Sequence, residues 1–403
     1  MTTVNDVFDV VANDPIAEMA ALGRSQGVYP YFLPLEESEG TEVVMEGKRL
    51  VMAGSNNYLG LTYDPRVRAA AIDAVQRFGT SCTGNRLLNG TLAMHVELEE
   101  RLARFLGKED ALVFATGYQS NVGAISALLG SAHIAVCDKE DHASVLDGVN
   151  MSGAQLARFR HNDPADLEAV LDLYVDTPAM VIVDGVYSMS GDLAKLPEIV
   201  SVARRRGARV YVDDAHGLGT VGPGGRGTAA HFNCVGDIDL IMSTFSKSLA
   251  SVGGVVAGSA EVVDFMRHHA RSMVYSAALP PPNTAAALAA LDVLESEPDR
   301  PIRTQQHAER VRKELRAMGY DCGTSESPIV PILIRDPFTT VTAWKALLDR
   351  GVYTNAVLAP GVAPGREMLR TSYMATHTEA QIDQVIAAFA DIADIVRPGQ
   401  VES

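Results

Sequence analysis

Lys247 stands in TFSKS, flanked by serines and with no acidic residue close to it in sequence. A lysine held in an apolar setting has its charged form disfavoured, which frees the amine to form a Schiff base with a carbonyl. Asp213 ends the run RVYVD. Alone it reads as a helix N-cap, but a carboxylate there can also keep a pyridine nitrogen protonated. His216 follows three residues later and can reach the same ligand. ATGYQSN (115–121) puts Gly117 and Tyr118 at the start of a helix, whose unpaired N–H groups suit a phosphate. Thr244 and Ser246 add hydroxyls. His142, in DKEDHAS, offers a flat ring to stack on an aromatic cofactor. Taken singly these are a surface lysine, a cap and a structural histidine. Lysine, carboxylate, phosphate cradle and stacking ring together are what pyridoxal phosphate (PLP) requires.

These residues lie far apart, so the elements between them must bring them together. Short apolar runs recur at 111–114 (ALVF), 133–137 (HIAVC), 180–186 (MVIVDGV), 209–213 (RVYVD), 240–245 (LIMSTF) and 255–258 (VVAG). Helical stretches separate them. One is MHVELEERLARFLG, whose stripe from Leu98 through Leu102 and Phe105 is closed by Gly107. Strands apolar along their whole length predict a mainly parallel sheet covered on both faces. ATGYQSN, DKEDHAS, YSMSGD (187–192), DDAHGLG (213–219) and SKSLASVGG (246–254) each follow one such run directly or closely. Ligands of an open α/β sheet bind beyond the carboxyl ends of its strands, so the five motifs describe one site. The alternation stops at LPPPN (279–283). This predicts an N-terminal arm over 1–45, a large PLP-binding α/β domain over 46–284, and a smaller α+β domain over 285–403.

With 34 Lys+Arg against 50 Asp+Glu, the 403-residue chain has a formal charge of −16, which repels nucleic acid and anionic membrane. Cys82, Cys137, Cys234 and Cys322 form no CxxC pair, which argues against a zinc site or a disulfide framework and suits a reducing compartment. The start MTTVNDVFDVVANDP has neither the basic nor the apolar part of a signal peptide. The charge-free run 111–137 is interrupted by polar residues and reads as strand, loop and helix rather than a membrane span. The expectation is a cytoplasmic enzyme with no metal, no nucleic-acid partner and no integral membrane segment.

The motifs TGNRLLNGT, ATGYQSN, HAS, DGVYSMSGD, VDDAHGLG, GPGGRG and TFSKS, in that order and spacing, resemble the α-oxoamine synthases. These are fold-type I PLP-dependent transferases, with a seven-stranded-type sheet in the large domain. TFSKS with VGG, RLLNGT and FRHND (159–163) look most like the bacterial serine palmitoyltransferase branch. The resemblance implies a homodimer with shared active sites and a place in sphingolipid biosynthesis. The implied reaction is decarboxylative condensation of a small L-amino acid, serine favoured, with an acyl thioester such as acyl-CoA. Alanine or glycine as donor, an 8-amino-7-oxononanoate synthase-like reaction, and a carrier-protein thioester are the alternatives. It further implies that Lys247 carries the cofactor, Asp213 meets its ring nitrogen, His142 stacks on the ring, and His216 bonds its phenolic oxygen. Gly117, Tyr118, Thr244 and Ser246 would hold phosphate, helped by Ser276 of the neighbouring subunit. Ser188 would lie near the ring, and Asn57 and Arg370 would meet the substrate. One departure is Leu358, in NAVLAPGVAPG, which falls where relatives carry an arginine thought to steady the substrate carboxylate. Either that support is missing here, or Leu358 lines an acyl entrance.

Overall fold

The computed structural model describes residues 6–12 and 14–396. Seven strands form the central sheet: β1 (Asp110–Phe114), β2 (Ile134–Asp138), β3 (Gln155–Phe159), β4 (Ala179–Asp184), β5 (Arg209–Asp213), β6 (Leu240–Thr244) and β7 (Gly254–Gly258). Their order is β1-β7-β6-β5-β4-β2-β3. Only β7 runs against its neighbours; the pairs β2–β3, β2–β4, β4–β5 and β5–β6 are parallel. β2 and β6 are buried at every residue, as strands covered on both faces must be. The sequence reading missed β3 (QLARF), because this edge strand is mostly exposed and has no apolar run to announce it.

Helices α1 (Pro15–Ser25), α2 (Gly117–Leu128), α3 (Ala143–Ser152) and α4 (Pro337–Asp349) matter most for the site. Asp14 caps α1, Thr116 caps α2 and Asp336 caps α4, each accepting from first-turn N–H groups that have no partner inside the helix. The helix Ala93–Leu106 ends on Gly107 in the left-handed conformation (φ 72°), as its sequence predicts.

Two large apolar cores matter here. The first joins the helices on one face of the seven-stranded sheet and reaches Ala286–Leu294. The second surrounds a three-stranded antiparallel sheet of Ile329–Leu333, Met368–Ser372 and Asn355–Val357. It also takes in Val43–Ala53, because the strand Lys48–Met52 pairs with Val352–Tyr353. Core membership therefore does not coincide with cuts at 45/46 and 284/285. Residues 1–5 of the expected arm and 397–403 of the expected small domain lie outside the described residues.

Candidate active site

β1, β2, β4, β5 and β6 deliver their polar motifs to one edge of the sheet. A cavity of about 320 Å³ there is lined by Gly117, Tyr118, His142, Asp213, His216, Thr244, Ser246 and Lys247, eight residues that sequence alone had singled out. A second cavity, about 610 Å³, shares His142, His216 and Lys247 with the first and adds Ser188, Arg370 and Leu358.

Asp213 forms the floor and is 4% exposed. Its Oδ1 accepts from Ala215 N at 3.0 Å, and its Oδ2 accepts from Asn121 Nδ2 at 2.7 Å. Asn121 is fixed in turn: its Nδ2 also donates to Ser144 Oγ (2.9 Å), and its Oδ1 accepts from the Tyr211 hydroxyl (2.8 Å). Burial pushes the Lys247 amine down to about 8; Asp213 and Asp184 partly oppose the shift and Arg370 adds to it.

At the other end, the Thr116 hydroxyl accepts from Gln119 N (3.1 Å), which leaves the Gly117 and Tyr118 N–H groups to face the cavity mouth. The Tyr118 hydroxyl donates outward to Asp147, so Tyr118 offers its backbone rather than its side chain. The Thr244 hydroxyl donates to Gly253 O (3.0 Å) and lies 3.0 Å from Ser246 Oγ. A Cβ at position 117 would sit 2.6 Å from Thr244 Oγ1, so only glycine lets helix start and strand end close into a cradle. Donors, acid and amine thus line one cavity, and the residues fit PLP.

His142 is the cap of α3, its Nδ1 2.7 Å from Ser144 Oγ. His216 is buried and its pKa is held well down, first by burial and then by Lys247 and Arg370, so the ring is neutral. Its Nδ1 shares a 2.7 Å hydrogen bond with the Tyr58 hydroxyl, which also donates to Asn56 Oδ1 at 3.3 Å. Nε2 is left for a ligand. Arg370, on Met368–Ser372, is 5% exposed. It donates to Ser188 O (2.7 Å) and to Asn56 Oδ1 (3.1 Å); among the described residues no carboxylate pairs with it.

Asn57, expected to meet the substrate, is not among the residues that line either cavity. Its Oδ1 accepts from Leu61 N (3.0 Å) and its Nδ2 donates to Thr62 Oγ1 (2.8 Å), so the turn consumes its side chain. The neighbouring Asn56 lines the cavity instead. Ser276 accepts from Gln119 Nε2 of its own chain (3.0 Å) and does not line either cavity.

Residues 49–389 match the family described as aminotransferase class I and II. The chain belongs to that family. Among similar members, the serine palmitoyltransferase of Sphingobacterium spiritivorum is 45% identical over 364 residues, covering 90% of this chain and 91% of that protein. The 8-amino-7-oxononanoate synthase of Geobacter sulfurreducens is 43% identical over 372 residues, covering 92% of this chain and 95% of that protein. The solved structure of SPT with PLP internal aldimine superposes with a TM-score of 0.94 at 37% identity, over 97% of this chain and 99% of that one. The fold-type I architecture expected from sequence is borne out, and the chain is a PLP-dependent enzyme of the α-oxoamine synthase group.

Within this family site, sequence reasoning missed Asn56, Tyr58, Asn121 and Asp184. Asp184 ends β4 in register with Asp213 on β5, and it accepts from His142 N (3.3 Å). Its signal, an acid closing the run VIVD, was the same as that of Asp213. His161, from FRHND, ties the loops bearing His142 and Ser188 together: Nδ1 is 3.0 Å from Asp138 and Nε2 is 3.1 Å from Asp192.

Proposed function

We propose that the protein condenses a small L-amino acid, serine favoured, with an acyl thioester to give an α-aminoketone, CO2 and a free thiol. Arg370 carries this reading. A buried guanidinium without an acid partner is costly unless an anion completes it, and a substrate carboxylate matches its two-pronged face. It shares its cavity with Lys247.

PLP, when bound, supplies the electron sink that makes the amino acid's α-proton removable. Lys247, with a pKa near 8, is the base at the α-carbon and holds that proton on Nζ. Asp213 would face the pyridine nitrogen with a charge that Asn121 and Ala215 keep in place. His216 would meet the phenolic oxygen, and the His142 ring would stack on the pyridine. Gly117 and Tyr118 N–H, Thr244 and Ser246 would hold the phosphate, with Ser276 contributed by the second subunit of a homodimer. Arg370 and Asn56 orient the carboxylate, and thereby the bond that breaks as CO2 departs. The new carbon–carbon bond joins the α-carbon to the acyl carbon as the carbon–sulfur bond breaks, and the thiolate takes up a proton from solvent; when the bond to CO2 breaks, the proton held on Lys247 Nζ returns to the α-carbon.

Two observations support the serine palmitoyltransferase branch: relatives of that name at 44–46% identity, and the TFSKS and RLLNGT motifs. The Geobacter relative keeps alanine or glycine as the second reading of the donor. CoA is favoured over a carrier protein as the thiol. No helix among the described residues is long and apolar enough to cross a membrane, and we place the enzyme in the cytoplasm. The test is a spectral titration of holoenzyme with serine, alanine and glycine, followed by palmitoyl-CoA. Serine should shift the cofactor spectrum, and CO2 and thiol should appear in equal amounts. Amino-group transfer to a keto acid without CO2 release defeats the proposal.

A further inference from the structure

FRHND (159–163) is a motif whose histidine lines neither cavity. β3, β2 and β4 lie side by side in that order, and His161 stands just past the end of β3. From there it reaches Asp138 at the end of β2 with Nδ1, and Asp192 in the loop after β4 with Nε2. Each ring nitrogen faces a carboxylate, so both donate and the ring is a cation. Burial opposes that charge, but the bonds to the two acids outweigh it. The clamp holds the turn Tyr187–Asp192. The Tyr187 hydroxyl donates to Asp138 Oδ2 (2.9 Å), and its buried ring meets the His161 ring edge-on, with centroids 4.4 Å apart. Tyr187 N donates to Asp192 O (3.1 Å) and Gly191 N to Tyr187 O (2.9 Å), so the turn closes on itself. Asn162 fastens its far end, with Nδ2 donating to Asp192 Oδ2 (3.1 Å) and Leu193 O (2.8 Å). Within this turn lies Ser188 O, the acceptor of Arg370 Nε.

We propose that His161 is a positioning residue for the amino-acid donor: by fixing the Tyr187–Asp192 turn it fixes the Ser188 carbonyl, and through that carbonyl the guanidinium of Arg370. The inference rests on the reading of Arg370 as the carboxylate site and adds what aims it. Arg370 is carried by a strand of the second core, whereas Ser188 belongs to a loop of the seven-stranded sheet. The Nε–Ser188 bond therefore sets the tilt of the fork relative to Lys247. A two-pronged contact needs the fork in the plane of the carboxylate, and a small rotation forfeits one of its two bonds. A further link runs from His161 past Glu140 (3.7 Å) to Arg366, four residues before Arg370. Arg366 is half exposed, and such a pair contributes little.

The experiment is spectral titration of holoenzyme with L-serine and with L-serine methyl ester, which keeps the amine but lacks the carboxylate. Loss of one charge-assisted contact is worth roughly tenfold, so His161→Gln should raise the serine Kd about tenfold and leave the ester within about twofold. His161→Lys keeps the charge but not two opposed donors, and should weaken serine as well. Tyr187→Phe removes only the hydroxyl that ties the turn to Asp138, and decides the matter if His161→Gln does not fold. It should weaken serine by a smaller factor, again sparing the ester. In an Arg370→Lys background His161→Gln should add no further loss, because the fork it aims is gone. Unchanged serine affinity in both His161→Gln and Tyr187→Phe overturns the proposal. So does equal loss for serine and ester, full recovery in His161→Lys, or additive loss in the Arg370→Lys background. If Arg370→Lys alone leaves serine affinity unchanged, the carboxylate reading fails and the proposal falls with it. If serine binding responds as expected but palmitoyl-CoA releases no CO2, the condensation reading fails and the positioning role stands.

Discussion

Asp213→Asn separates charge from shape, because the structure specifies what the amide must do. Both carboxylate oxygens accept from fixed donors, Ala215 N and Asn121 Nδ2. An asparagine has one oxygen, so its NH2 must face one of those donors. Asn121 cannot rotate to help, because its own oxygen accepts from Tyr211. One buried donor loses its partner, at a cost of about 1–3 kcal/mol in stability. Separately, the charge proposed to face the pyridine nitrogen is gone, and turnover should fall roughly 10²-fold or more. Adding Asn121→Asp tells the two effects apart. A carboxylate at position 121 could accept from Tyr211, Ser144 and the new amide, so the double variant should regain most of the stability. Its charge is moved away from the ring, and turnover should stay low. The assays are denaturant midpoints and CO2 release on the three proteins. Near wild-type turnover in the single variant removes Asp213 from the chemistry, and recovery of turnover in the double variant shows that any charge on this pair suffices.

The lowered pKa of Lys247 has a stability signature. Its folded value, about 8, lies below the unfolded 10.5. Apo-protein stability should therefore rise with pH between those values, by up to about 3 kcal/mol, relative to Lys247→Met; a flat difference refutes the buried amine. Burial lowers the His161 pKa, but hydrogen bonds to Asp138 and Asp192 outweigh it and bring the value to about 10. That stabilisation is complete below about pH 6.5 and lost as pH rises through 10, so His161→Gln should be destabilised at pH 6.5 and approach wild type above pH 10 in urea midpoints. Arg370→Lys keeps charge but loses the planar fork, and the serine dissociation constant from spectral titration should rise about 10- to 100-fold. Leu358→Arg should weaken the non-transferable thioether hexadecyl-CoA about tenfold with serine affinity within twofold; tighter serine binding with intact thioether binding would instead assign position 358 to the carboxylate.

The strand-end motifs were legible because each carries its signal locally, an apolar run broken by a cluster of polar and glycine residues. Asn121 and Tyr211 were not, since their meeting depends on which strands neighbour β5, and sheet order has no local signature. Asn56 and Asn57 are identical in type and adjacent. The choice between them is made by a turn that draws the Asn57 side chain onto Leu61 N and Thr62 N. β3 escaped notice because an edge strand is not obliged to be apolar. Ser276 points to Gln119 in one chain, and its expected role is defined only across a subunit boundary.

Lys247 hangs from the seven-stranded sheet, while Arg370 is carried by a strand of the second core. Because packed interiors transmit displacement, a substitution beneath that strand, at Ile332 or Leu369 for example, moves the guanidinium without disturbing the lysine, the aspartate or the phosphate cradle. Choice of amino acid and cofactor chemistry are thus inherited on separate pieces of protein. Descendants of such a chain can trade one donor for another by drift in a hydrophobic interior far from any reacting atom, and a comparison restricted to pocket-lining residues would miss the change.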